Sequence, residues 1–183
     1  MRNKRIPVFL VLLFLVPALL SQNRNLSTST GTISFRSDAP LEVIKATSNN
    51  LMGRIDENKR TFAFQVLIRS FEGFNSGLQQ IHFNENYLET DKFPEATFSG
   101  KIIEPLDFSK NGKSTIRAKG ILKIHGVEQE RIIKSDVTVK DNKVHITSNF
   151  TVQLSDHNIR VPRVVHEKIA AEIKVFVEAD LVR

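Results

Sequence analysis

The side chains able to do acid, base or metal chemistry in this sequence are few and scattered. Its five histidines are His82, His125, His145, His157 and His166. His166-Glu167 opens like the helix motif of a zinc protease, but Ala170 stands where the second histidine must be. There is no Gly-x-Ser-x-Gly elbow, no phosphate loop and no Gly-x-Gly-x-x-Gly. Glu128 and Glu130 fall in a turn, where they serve solubility, and Tyr87, the single tyrosine, reads as a packing residue of a short helix. With no cysteine, thiol catalysis, disulfide exchange and cysteine-ligated metal are all removed. The sequence therefore predicts no catalytic residues and no metal ligands. The remaining enzyme reading is a hydrolase in which His157 or His166 converges with a carboxylate in one cleft.

Periodicity says which elements would position a site. From Thr115 to Ile124, Ile116, Ala118, Gly120, Leu122 and Ile124 alternate with Thr115, Arg117, Lys119, Ile121 and Lys123. A period of two with one wet face is a half-buried strand. The carboxyl end repeats it, with Ala171, Ile173, Val175, Val177, Ala179 and Leu181 against Glu172, Lys174, Phe176, Glu178 and Asp180. Val144, Ile146, Ser148, Phe150 and Val152 share one face, as do Phe62, Phe64, Val66 and Ile68. Weaker strands are expected at Thr32 to Phe35, Leu41 to Thr47, Ala96 to Ile102 and Ile132 to Lys140. Turn residues separate these runs at Asp56 to Lys59, Asn111 to Lys113, His125 to Glu128 and Asp141 to Lys143, and short links imply antiparallel hairpins. Asn84 is expected to cap one short helix through Glu85 to Glu89, stopped by Phe93-Pro94.

About eight antiparallel strands in near-sequential meander favour an all-β closed barrel over a sandwich, and such an interior holds either side chains or one small ligand. The inward set mixes large apolar residues with Ala96, Gly100, Ala118, Gly120, Ser135, Ser148, Ala171 and Ala179. Small residues make room for a cavity lined by Phe62, Phe64, Phe98, Ala118, Gly120, Leu122, Ile124, Val137, Phe150 and Val175, suited to a long hydrocarbon. The same alternation also fits a filled, tapering interior, in which case the barrel is an interaction module using Gly73-Phe74-Asn75-Ser76-Gly77. A polar head, if a ligand has one, is expected near Arg54, Arg69, Lys92, Arg160 and Arg163 in the loops.

The amino end reads as an address. Arg2, Lys4 and Arg5 precede an apolar run from Ile6 to Leu20, which stops at Ser21-Gln22-Asn23-Arg24-Asn25. That is the pattern of a secretory signal peptide over 1–21, too short for a membrane span of roughly twenty residues. A polar linker, 22–30, and one barrel domain, 31–183, are expected to follow. The formal charge of +6 includes the three basic signal residues and falls to +3 without them, which gives nucleic-acid binding little support.

Three segments carry a resemblance. They are Phe93-Pro94-Glu95-Ala96-Thr97-Phe98-Ser99-Gly100, Gly120-Ile121-Leu122-Lys123-Ile124-His125-Gly126-Val127 and Asp156-His157-Asn158-Ile159-Arg160-Val161-Pro162. In order and spacing the chain resembles the YceI-like family of exported bacterial proteins over roughly Ser34 to Leu181. It departs from the family pattern at Gly31 to Phe35 and at Leu78 to Asn84. The resemblance implies a lipocalin-like barrel that binds a polyisoprenoid chain, such as a polyprenyl phosphate or isoprenoid quinone, in the periplasm. No catalytic residue or other cofactor comes with it, and contact with a membrane would serve lipid exchange.

Overall fold

The computed structural model describes residues 25–183. The expected signal peptide, 1–21, and the first part of the expected linker lie outside the described residues. Eight strands follow in chain order: β1 (Asn25–Asp38), β2 (Val43–Asp56), β3 (Thr61–Leu67), β4 (Glu95–Ile102), β5 (Gly112–Ile124), β6 (Val127–Lys140), β7 (Lys143–Gln153) and β8 (Glu172–Leu181). Each pairs antiparallel with the next, and β8 returns to β1 through Thr32↔Glu178 to Arg36↔Lys174, closing an eight-stranded barrel without a free edge. The expected fold class holds. Its cause is the alternation read above: Ile116, Ala118 and Leu122 of β5 are buried while Arg117, Lys119 and Lys123 face water.

Several strands run further than periodicity suggested. In β2, burial passes from Ile44, Ala46 and Ser48 to Leu51, Gly53 and Ile55, so Asn49 and Asn50 sit exposed together. The register of β1 with β2 slips at the same place, between Gly31↔Leu51 and Ile33↔Ser48. Such a bulge adds a residue without ending the strand, and a parity change hides the strand from a period-two reading. Asn25 to Thr30, expected as linker, form the first part of β1, where Leu26 is wholly buried opposite Ile55.

The long connection from β3 to β4 also differs from expectation. Its helix α1 spans Gly77–His82 and is capped by the Ser76 hydroxyl, which accepts from the Gln79 amide; Asn84 lies beyond it, in the wider turn Phe83–Tyr87. Within the Gly73 to Gly77 segment the Phe74 ring turns inward to pack on Phe35 and Phe83, while Gly73, Asn75, Ser76 and Gly77 stay exposed. Ala171, placed on the inner face by parity, is exposed just ahead of β8.

The barrel has two unlike ends. At the lower end Leu26, Ile55, Val139, Val144 and Leu181 are buried, and Phe108 from the β4–β5 loop is 2% exposed among them. Asp107 ties that loop by accepting from the Ser109 hydroxyl and amide, bonds that with Lys110 pull its carboxyl down to about 2. Arg183 reaches the Phe108 carbonyl from the other side. The upper end is crossed by α1, by the β3–β4 connection and by the β7–β8 connection, and it is less tightly filled.

Candidate functional site

Beneath α1 lies a chamber of about 510 Å³. Ile33 and Phe35 of β1, Val66 of β3, Leu122 and Ile124 of β5, Phe150 of β7 and Val175 of β8 form its wall. Phe71, Phe74 and Phe83 come from the β3–β4 connection. Val165, Lys168 and Ile169 belong to the β7–β8 connection. Below it a second chamber of about 110 Å³ is lined by Phe62, Phe64, Phe98, Ile116 and Ala118. Ile33, Val66, Ala96, Leu122 and Phe150 line both, so they stand at the junction. The inner polar groups of the lower chamber satisfy each other, the Ser135 and Ser148 hydroxyls lying 2.7 Å apart.

Eight of the ten residues expected to line a cavity do so. Leu122, Ile124, Phe150 and Val175 border the upper chamber, while Phe62, Phe64, Phe98 and Ala118 border the lower. Gly120 and Val137 border neither. Val137 is 1% exposed in packed core. Gly120 is small because β4 and β5 cross closely there: it pairs with Gly100, and a Cβ on either would run into the opposing backbone at Ser99 or Lys119.

Sequence reasoning missed the aromatic group of the upper chamber. Phe35 stacks on Phe83 with centroids 5.3 Å apart at 15°, Phe71 lies 5.5 Å from Phe35, and Phe74 lies 5.0 Å from Phe83. Three of the four rings come from a connection without a period. The available signal was their density, three phenylalanines between Phe71 and Phe83 in what read as a loop.

The expected head-group residues are elsewhere. Arg69 pairs with Asp91 and Lys92 with Glu89, Arg54 is exposed on β2 opposite Ala63, and neither Arg160 nor Arg163 lines the chamber. Its polar lining is Ser37, Glu42, Ser76, Gln79, His82, Tyr87 and Lys168. Four of these are committed to structure. The Ser37 hydroxyl accepts from the Ala170 amide, Ser76 caps α1, and Glu42 accepts from the Gln79 side chain at 2.9 Å. The other three, His82, Tyr87 and Lys168, make no side-chain hydrogen bond or ion pair among the described residues.

The hydrolase geometry does not form. His157 is wholly buried, and its Nδ1–H donates to the Val127 carbonyl at 3.2 Å. His166 is exposed beside the Arg163 carbonyl. Neither ring lines a chamber. No group of three or more His, Cys, Asp or Glu able to hold a metal occurs among the described residues.

The three segments that carry the family resemblance instead meet at one corner. His125 and Gly126 turn from β5 to β6 with φ of 51° and 73°, the left-handed pair of a tight hairpin. The His125 ring lies edge-on to Phe93 at 4.6 Å, faces the Glu89 carboxylate at 2.9 Å and the His157 carbonyl at 3.1 Å. Each ring nitrogen thus faces one acceptor, a carbonyl on one side and a carboxylate on the other. A Cβ on Gly126 would meet the Phe93 ring at 2.5 Å. The corner thus clamps both upper connections to the β5–β6 turn and holds the roof of the chamber in place.

Burial pushes the His157 imidazole below its ordinary value, outweighing the Val127 and Ile124 backbone bonds and Asp156, which favour the charged form. A lowered folded value means that the unfolded chain binds the extra proton first. Stability from this group is complete above the unfolded value of about 6.5 and is lost as pH falls through the folded one. Urea melts from pH 8 down to pH 5 should therefore show a decline in the wild type that is shallower in His157→Gln. Parallel declines in the two proteins would refute the assignment.

Comparison with known proteins agrees with this geometry. A family model described as the YceI-like domain matches residues 23–181. No curated protein matches the chain. Among solved structures, a polyisoprenoid binding domain from Saccharophagus degradans implicated in plant cell wall breakdown superposes with a TM-score of 0.72 at 12% identity, over 86% of this chain and 97% of that one. Burkholderia cenocepacia BcnA gives 0.68 at 12% identity, over 84% and 96%. A Campylobacter jejuni YCEI protein gives 0.53 at 16% identity, over 69% and 75%. With a closed eight-stranded barrel, a model match across all eight strands and its three motif segments gathered at one corner, the chain belongs to the YceI-like family.

Proposed function

We propose that this protein is an exported carrier or reservoir for an isoprenoid-type apolar molecule, a polyprenyl phosphate or an isoprenoid quinone, held inside the barrel with its polar end at the upper rim. The observation that carries the reading is a 510 Å³ chamber walled mainly by Phe, Ile, Leu and Val, with few polar side chains among them. Burial of apolar surface at about 25 cal/mol per Å² drives such a chain inward. His82, Lys168 and the Tyr87 hydroxyl are the groups left to meet a carbonyl or phosphate. The Saccharophagus degradans relative is a polyisoprenoid binding domain, which favours the same ligand class here. Export rests on Arg2, Lys4, Arg5 and the apolar run from Ile6 to Leu20.

Exchange with a membrane fits the rim. Leu78, which borders the chamber, is 62% exposed, and Val164 is 90% exposed beside Arg163. Leu41, 66% exposed, is tied to the same connection by its amide, which donates to the Glu167 carbonyl. Native mass spectrometry of protein purified from its host is expected to find a co-purifying isoprenoid. Protein that is reproducibly empty and takes up neither quinone nor polyprenyl phosphate from vesicles would refute the carrier.

A further inference from the structure

We propose that the mouth of the barrel is a docking surface for a bilayer containing anionic phospholipid, with Val164 the tip that enters it and the cations of the β7–β8 connection on its headgroups. This rests on the carrier reading above for its purpose, and adds the partner and the orientation of the protein upon it. Among the described residues the three most exposed large apolar side chains are Val164 at 90%, Leu41 at 66% and Leu78 at 62%, whereas on the strands the highest value is 55%, at Ile132. The three belong to separate connections that hydrogen bonds tie around one opening. The Leu41 amide donates to the Glu167 carbonyl at 2.8 Å, which joins the turn between β1 and β2 to the β7–β8 connection. The Gln79 side chain donates to the Glu42 carboxylate and that of Asn75 to the Val43 carbonyl, both at 2.9 Å, which joins the same turn to α1 and the segment before it. Leu78 itself borders the chamber, as do Val165 and Ile169 beside Val164, so apolar surface runs unbroken from the lining to the tips.

Charge names the partner. Arg160, Arg163 and Lys168 are exposed in the connection that carries Val164, and none makes a side-chain hydrogen bond or ion pair among the described residues. Within Arg160 to Lys168 the only carboxylate is Glu167, and α1 across the mouth has none. By contrast Arg36 and Lys174 pair with Asp38, Arg69 with Asp91 and Lys92 with Glu89. Free cations beside an exposed apolar tip suit an anionic headgroup layer, where each adds attraction while the tip enters the acyl boundary. Three tips on three connections offer no continuous groove to a peptide, whereas a lipid surface takes each tip separately and needs no matching shape.

The chain has no tryptophan, so one introduced by substitution reports on its own surroundings. Emission from Val164→Trp is expected to move to shorter wavelength on vesicles of phosphatidylethanolamine with phosphatidylglycerol, and much less on phosphatidylcholine. Val182→Trp should not move: Val182 lies at the opposite end, bridged to Ser27 near the start of β1. In sedimentation with the phosphatidylglycerol vesicles, Val164→Asp and the pair Arg160→Gln with Arg163→Gln should each bind at least about tenfold more weakly than the wild type. Sedimentation needs no reporter, so it decides by itself if a tryptophan variant fails to fold. Equal shifts on both vesicles, a shift at 182 instead of 164, or no shift at either, as a protein partner at this face would give, overturns the docking surface. None of Arg160, Arg163 and Val164 borders the chamber, so the cargo is read separately by native mass spectrometry. An isoprenoid that still co-purifies leaves the carrier standing without the docking surface, and a docked but always empty barrel does the reverse.

Discussion

Replacing Gly120 by valine is expected to lower the melting temperature by roughly 10 °C or to leave the protein insoluble. The added Cβ meets the Ser99 carbonyl and lies within 3.1 Å of the Gly100 Cα, all of it backbone. Side chains can rotate away from an intruder, whereas paired strands can only part. A separation here breaks the ladder running from Phe98↔Leu122 to Ile102↔Ala118. Loss of about 3 kcal/mol or more is the scale of such a change, and a domain of this size loses about 3 °C for each kcal/mol. Gly77→Ala is the matched control. It sits in the first turn of α1 with nothing within 4 Å of a built Cβ, so its melt should be unchanged or slightly raised. Thermal melts followed by circular dichroism check both, and a Gly120→Val protein as stable as the wild type would show that the strands are not held as closely as they stand.

Placing a charge at the mouth separates binding from folding. Ile169 is half-buried and borders the upper chamber from the β7–β8 connection, near enough to solvent for a glutamate to hydrate without unfolding the barrel. In the bound state that carboxylate would have to share the entrance with hydrocarbon, and burying a charge without a partner costs several kcal/mol. Ile169→Glu is therefore expected to weaken binding of a polyprenyl probe at least about a hundredfold, about 2.7 kcal/mol, while the melting temperature moves little. Ile169→Leu should restore binding. Titration by displacement of a fluorescent fatty probe reads the affinity, and an unaffected Ile169→Glu protein would mean that the chain does not enter past this connection.

Most strands were legible because each announces itself locally. Arg117, Lys119 and Lys123 must be wet, so Ile116, Ala118 and Leu122 must be dry, whatever the other strands do. The bulge at Asn49-Asn50 broke that reading in β2, since one extra residue exchanges the faces. The helix was misplaced by a few residues because Ser76 and Asn84 are both good caps, and only the packing of Phe74 and Phe83 on Phe35 chooses between them. Parity alone points to eight residues that border the chambers, but it counts Gly120 as room where the structure has strand contact.

The sequence by itself determined that this chain is a meander of antiparallel strands with one apolar face, and its three motif segments pointed to the family. Those are properties of neighbours along the chain, set by a period of two residues. Only the tertiary structure decided that the interior is hollow above and sealed below, that four phenylalanine rings from two distant segments share its roof, and that His125, Glu89 and His157 pin that roof shut. Empty volume is the difference between where the walls stand and how far their side chains reach. Strand crossing, bulges and the fold of a long connection set that difference together, and none of them is written in the alternation of one strand.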